Sequence, residues 1–244
     1  TAFADLTDGL DVATVMNMTG YEIFAMGNHE QLLGLERFKK IVEKAEFPVL
    51  AANLSGEWHE AIPEIKDYVI KEFGGTKIAF IGITYPMFDE EDDVAKIITS
   101  ANNAKAAAEA EGASVFIAVT HLGILDADEE IRSTYLAEKC PWLTAIIDAH
   151  CHTEHKDGLV QSGVLTAETG EYGKNIGVVE LTFAAGKVTG ATARLIPITD
   201  HEAESGITPD AEIQAFIAGV RAKNEAYLKE VVATTPVDLD GVRG

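Results

Sequence analysis

The sequence predicts a mixed α/β protein. Up to His155, short β-branched strands alternate with helical stretches. Beyond it, short strands follow one another across glycine turns, and helical spacing returns only after Pro209. The repeated strand runs argue against a helical bundle, which length alone would permit.

The elements are expected in this order. Asp8 caps a helix running to about Thr19, with Gly20 after its end. A short run from Glu22 to Met26 leads into Gly27-Asn28-His29-Glu30. Leu35, Phe38, Ile41, Val42 and Ala45 then keep helical spacing, and Pro48 precedes a strand at Val49–Asn53. Tyr68–Lys71 and Lys77–Ile81 flank Gly74-Gly75 as a hairpin. The acidic stretch Asp89–Asp93 reads as a solvated loop. The alanine-rich Ala101–Glu111 is a strong helix former, stopped by Gly112. Val115–Val119 is a buried-type strand ending in Thr120-His121-Leu122-Gly123. Glu129–Glu138 reads as a helix, and Leu143–Asp148 as a strand ending in Ala149-His150-Cys151-His152. Val164–Ala167, Gly177–Phe183 and Val188–Ile196 are expected to build an antiparallel sheet. Asp210 to about Glu230 forms the last helix.

Composition narrows the function. With 47% hydrophobic and 24% charged residues in 244, the chain is ordinary globular material rather than disordered. The formal charge of −21 leaves no basic stripe for polymeric nucleic acid. It would also repel small anions unless a bound cation reverses the local field. No apolar run approaches the ~20 residues needed to span a bilayer. The two cysteines, Cys140 and Cys151, define no redox compartment.

Seven histidines occur, and four of them (His29, His121, His150 and His152) fall just past the C-terminal ends of three expected strands. That edge is where α/β sheets bind ligands. Asn28, His121, His150 and His152 offer nitrogen and amide-oxygen donors, which suit Zn, Mn, Fe or a similar first-row ion better than Ca or Mg. If the segment is extended, His150 and His152 share a direction and Cys151 faces away into packing. Asn53 is left to line the site or cap a turn, and His155 to line the cleft or be solvated. His59, His201 and the Asp126–Glu130 acidic stretch read as surface, and Asp148 as a partner that orients a ligand histidine.

Gly27-Asn28-His29-Glu30, Thr120-His121-Leu122-Gly123 and Asp148-Ala149-His150-Cys151-His152-Thr153, in that order, resemble the calcineurin-like metallophosphoesterases. With Glu171-Tyr172-Gly173-Lys174-Asn175-Ile176-Gly177 they resemble the 5′-nucleotidase / UDP-sugar hydrolase / 2′,3′-cyclic phosphodiesterase family. The resemblance implies a four-layer αββα sandwich and a site with two divalent ions (Zn, Mn, Fe or Co) sharing a carboxylate. Asn28, His121 and His150 would hold one ion, His152 would belong to the other, and His29 would be catalytic. The implied substrate is a small nucleotide or phosphate ester, and the implied location is the periplasm or cell surface. Residues 1–205 would form the metallophosphoesterase domain, and 206–244 a linker helix towards a substrate-binding domain.

Two departures qualify the resemblance. Neither the Asp-x-His of the family's first strand nor the Gly-Asp that follows it stands ahead of Gly27-Asn28-His29-Glu30. The expectation is therefore a piece of a two-domain hydrolase lacking its first strand, holding at most one weakly bound ion and nearly inactive alone. In addition, relatives read Gly-Asn-His-Glu-Phe-Asp, whereas Gln31 and Leu32 stand in the last two places here. His29 would then lack its carboxylate partner, unless Leu32 simply packs with Leu33 and Leu35. A non-catalytic interaction module, or a hydrolase of a non-nucleotide substrate, is the alternative reading.

Overall fold

The computed structural model describes residues 4, 6–54, 56–86, 93–198, 206–231, 233, 234 and 237. His201 and most of the acidic stretch 89–93 lie outside them.

The main sheet is six-stranded. It contains β3 (Tyr68–Phe73), β4 (Thr76–Ile83), β5 (Val115–Thr120), β6 (Ala145–Ile147), β7 (Leu159–Gln161) and β8 (Val164–Ala167), in the order β3-β4-β5-β6-β8-β7. The inner pairs β4/β5, β5/β6 and β6/β8 are parallel, and antiparallel strands close both edges. The hairpin β3/β4 turns where expected, through Gly74 and Gly75 at positive φ.

Alternation along β4 and β5 sorts their side chains onto two faces. Ala79, Ile81, Ile83, Phe116 and Ala118 pack under α5 (Asp93–Ala110) and α6 (Ser133–Lys139), meeting Ile97, Ala101, Ala104 and Leu136. Ile78, Val115 and Ile117 face the other way. They meet Leu181 and Val188 of the antiparallel hairpin β9 (Asn175–Ala184) and β10 (Lys187–Pro197). The same face carries a small parallel pair, β1 (Phe24–Ala25) and β2 (Val49–Leu50). Its approach is tight at Gly82, where a Cβ would fall 2.3 Å from that of Leu50. Behind this pair lie α1 (Leu10–Met18), α3 (Leu35–Lys44) and α4 (Gly56–Ala61), around Met26, Phe38, Val42 and Val49. The order helix, sheet, sheet, helix is the sandwich expected from the sequence. The short helix α2 (Asn28–Leu33) leaves the end of β1, and α7 (Ala211–Leu228), capped by Asp210, lies against α1.

Several expectations need correction. Val164–Ala167 does not start an antiparallel sheet. It pairs parallel with β6 inside the main sheet, because its four residues are all buried between layers. Asp8 makes no cap; Gly9 precedes α1 at φ 80, and the Asp8 carboxylate lies 3.6 Å from Arg37 Nε. The helix expected at Glu129–Glu138 begins only at Ser133, after a loop that carries Asp126 to the site. The short elements α4 and β7 carry no periodicity long enough to be read.

Candidate metal centre

The parallel strands end on one edge, and the loops leaving β1, β5 and β6 bring Asn28, His121 and His150 together there. Asn28 opens α2 after Gly27, whose N–H donates to Glu30 Oε2 at 2.9 Å. A Cβ on Gly27 would lie 2.9 Å from His121 Cε1, so glycine makes room for that ring. His121 Nε2 sits 3.0 Å from Asn28 Oδ1, and the His121 and His150 rings meet edge to face at 5.1 Å.

Buried hydrogen bonds hold these loops. Asp148 Oδ1 accepts the Thr120 hydroxyl at 2.6 Å and the Leu122 N–H at 3.0 Å, so the carboxylate expected to orient a ligand histidine instead holds the residues on either side of His121. Asn53 is clamped to Thr84 by two 2.8 Å bonds that tie the chain after β2 to the end of β4. Gln31 donates to the Tyr85 carbonyl at 2.8 Å and so fastens α2 to the same loop.

The chain at His150 and His152 is not extended. Both residues have positive φ, 103° and 58°, which costs non-glycine residues on the order of 1–3 kcal/mol each. Their side chains consequently diverge instead of sharing a direction. His150 turns to His121 and Tyr85, whereas His152 is exposed with Nδ1 3.1 Å from Glu171 Oε2. Cys151 is half-buried and packs against Gly123.

Burial holds His121 well below the ordinary histidine range, at about 4, with the neighbouring His150, His29 and His152 adding to the effect. Burial also lowers His150, against the pull of Asp126 and Asp148. Both rings are therefore neutral near pH 7, the form that donates a lone pair.

His29 is exposed, and among the described residues no carboxylate lies within ion-pairing distance of it. Glu30 is engaged by the Gly27 amide, and Leu32 is 65% exposed, so it does not pack with Leu33 and Leu35 as one reading had it. Two contributors were missed from sequence. Tyr85 stacks on His150 at 4.2 Å, and Asp126, read as solvated, has a side chain only 12% exposed and 3.5 Å from His150 Nε2. Nothing in its acidic context separates Asp126 from Asp128, Glu129 and Glu130, which are exposed as expected.

Donors about 2.1 Å from one ion and about 90° apart stand about 3.0 Å from each other. The Asn28–His121 contact has that spacing, and the donor chemistry of Asn28, His121 and His150 suits one first-row ion. No three His, Cys, Asp or Glu side chains already converge among the described residues. A second ion would find only His152 of the expected donors, and that set does not fit it.

No family model matches the chain. Among curated proteins it is 29% identical over 243 residues to an uncharacterized metallophosphoesterase, YunD, of Bacillus subtilis, covering 97% of this chain and 50% of YunD. It is 27% identical over 256 residues to a 2′,3′-cyclic-nucleotide 2′-phosphodiesterase/3′-nucleotidase of Haemophilus influenzae, covering 89% of this chain and 38% of that protein. The chain thus spans half or less of these relatives. Among solved structures, a 5′-nucleotidase precursor of Thermus thermophilus superposes with a TM-score of 0.76 at 21% identity, over 96% of this chain and 49% of that one. The calcineurin-like phosphoesterase YfkN of Bacillus subtilis gives 0.69 at 22% identity, over 93% and 78%. Relatives, fold and the three histidine-bearing loops agree: the chain is a homologue of the metallophosphoesterases that include the 5′-nucleotidases.

Proposed function

We propose that the chain is the hydrolytic domain of a phosphoric ester hydrolase that removes phosphate from nucleotides. The observation that carries this reading is the meeting of Asn28, His121 and His150 from three separate loops at the carboxyl edge of the sheet. The names of the relatives supply the substrate class. In this reading residues 1–205 form the domain and 206–244 a connecting helix, and the protein acts outside the cytoplasm.

Asn28, His121 and His150 would hold one divalent ion, weakly, because all three ligands are neutral and none offsets its charge. When bound, it supplies Lewis-acid activation of a phosphoryl oxygen. The protein's own residues do the rest. Neutral His121 and His150 keep their lone pairs turned to the site, and the Asp148 and Asn53 clamps hold the loops so that little reorganisation is needed. His29, at the mouth, donates a proton to the leaving oxygen. With no carboxylate on His29 among the described residues, its orientation is loose and turnover is low.

A second reading, a binding module without catalysis, is favoured by one observation: His152, the one expected donor left for a second ion, is paired with Glu171. One experiment addresses both. The protein is dialysed against Mn, Zn and Co, then assayed for metal content and for release of phosphate from nucleotides and p-nitrophenyl phosphate. One weakly retained ion with slow metal-dependent turnover is expected. Absence of metal binding together with absence of turnover would sink the hydrolase reading.

A further inference from the structure

We propose that Asp126 is a positioning residue of this centre: its carboxylate holds the single ring proton of His150 on Nε2, leaving Nδ1 as the nitrogen that binds a cation beside Asn28 and His121. The inference rests on reading His150 as a ligand. It adds which nitrogen binds and what orients it.

The carboxylate is placed with some care. Asp126 Oδ2 faces His150 Nε2 at 3.5 Å and accepts the Tyr85 hydroxyl at 3.3 Å. Asp126 Oδ1 accepts the Asp128 N–H at 2.9 Å, and the Asp126 carbonyl accepts the Arg132 Nε–H at 2.7 Å. Both main chain and side chain are thereby anchored, and Asp126 is sheltered while Leu125, Ala127 and Asp128 on either side are exposed.

Tyr85 does two jobs at once. Its hydroxyl holds the carboxylate, and its ring lies on the His150 imidazole at 4.2 Å and 28°. His121 closes a further side of the ring, edge to face. The plane of His150 is therefore set by Tyr85 and its rotation by Asp126.

The tautomer follows from donor chemistry. A neutral imidazole has one N–H and one lone pair, and an ionised carboxylate only accepts. The proton therefore sits on Nε2, facing Asp126, and the lone pair on Nδ1. Histidines that bind metals use such a partner on the second nitrogen, which fixes the ring and raises its basicity. The 3.5 Å separation is long for a hydrogen bond, as catalytic contacts often are before the site is loaded, and shortens as the ring is drawn into place.

Long-range proton–nitrogen NMR of the metal-free protein, with labelled histidine, reads the tautomer directly. His150 is expected as the Nε2–H form, moving to a mixed population in Asp126→Ala. Asp126→Asn, whose Oδ1 stays on the Asp128 N–H, turns its amide N–H towards His150 Nε2 and should shift the ring to the Nδ1–H form. Zn affinity, measured against a chromophoric chelator, should fall about 10- to 100-fold in Asp126→Ala and at least as far in Asp126→Asn. In the native protein, an Nδ1–H form or an imidazolium at neutral pH overturns the proposal. So does an unchanged tautomer population, or an unchanged Zn affinity, in a folded Asp126→Ala protein. The expected tautomer without any Zn binding would overturn the assignment of Nδ1 as a ligand and the hydrolase reading with it, while leaving the Asp126–His150 coupling established.

Discussion

Asp148 and Thr120 share a 2.6 Å hydrogen bond, buried, between residues 28 positions apart in the chain. Thr120 is the last residue of β5 and Asp148 follows β6, so the bond joins the bases of the loops that carry His121 and His150. The same carboxylate oxygen takes the Leu122 N–H at 3.0 Å and fixes the direction in which His121 leaves the strand.

Removing that carboxylate strands buried donors. Asp148→Ala is expected to lower stability by about 2–3 kcal/mol, through the lost charge-assisted bonds and the unpaired Leu122 N–H. Asp148→Asn, which keeps an accepting oxygen, should lose less than half as much. Urea unfolding curves read both, and equal losses in the two variants would contradict this assignment.

Gly27→Ala tests the packing that places the site. The new methyl would stand 2.9 Å from His121 Cε1, within the repulsive range, and must move the ring away from Asn28. Zn affinity should drop about tenfold or more, as expected when a ligand loses its supporting geometry. Native affinity in the variant would show that His121 is not held by this contact.

The two thiols should behave differently from exposed ones. Cys140 is fully buried, and burial alone raises its thiol to about 11. A raised thiol pKa keeps the neutral, unreactive form through neutral and mildly alkaline pH. Titration with an aromatic disulfide at pH 8 should find Cys140 unreactive until denaturant is added. Rapid native modification of Cys140, located by peptide mapping, would refute its burial.

Leu32 offers a gain-of-function test. It is 65% exposed, three residues along α2 from a histidine with no acidic partner among the described residues, so Leu32→Asp adds a carboxylate at little structural cost. If His29 is the proton donor, turnover of the metal-saturated protein should rise, by up to about a hundredfold. A folded variant with unchanged kcat would mean that His29 is not limited by its orientation.

Much of this protein was legible in one dimension. Short β-branched apolar runs marked β4 and β5, Gly74-Gly75 marked the turn between β3 and β4, and the spacing from Leu35 to Ala45 marked α3, because each signal is local to its element. Asn28, His121 and His150 were legible too, since each stands at a strand end and the parallel sheet brings those ends to one edge. What the sequence could not determine was direction and partnership. Positive φ at His150 and His152 sends the two rings apart, a choice made by the loop's packing against Gly123 and Glu171 rather than by strand alternation. Asp126 looks like its exposed acidic neighbours until the fold seats it under Tyr85 and beside His150. Likewise Val164–Ala167 reads equally well in either sheet, and only its burial on both faces put it beside β6. Short-range periodicity is written in the chain; which polar group meets which is decided by the loops between, whose course depends on everything they pack against.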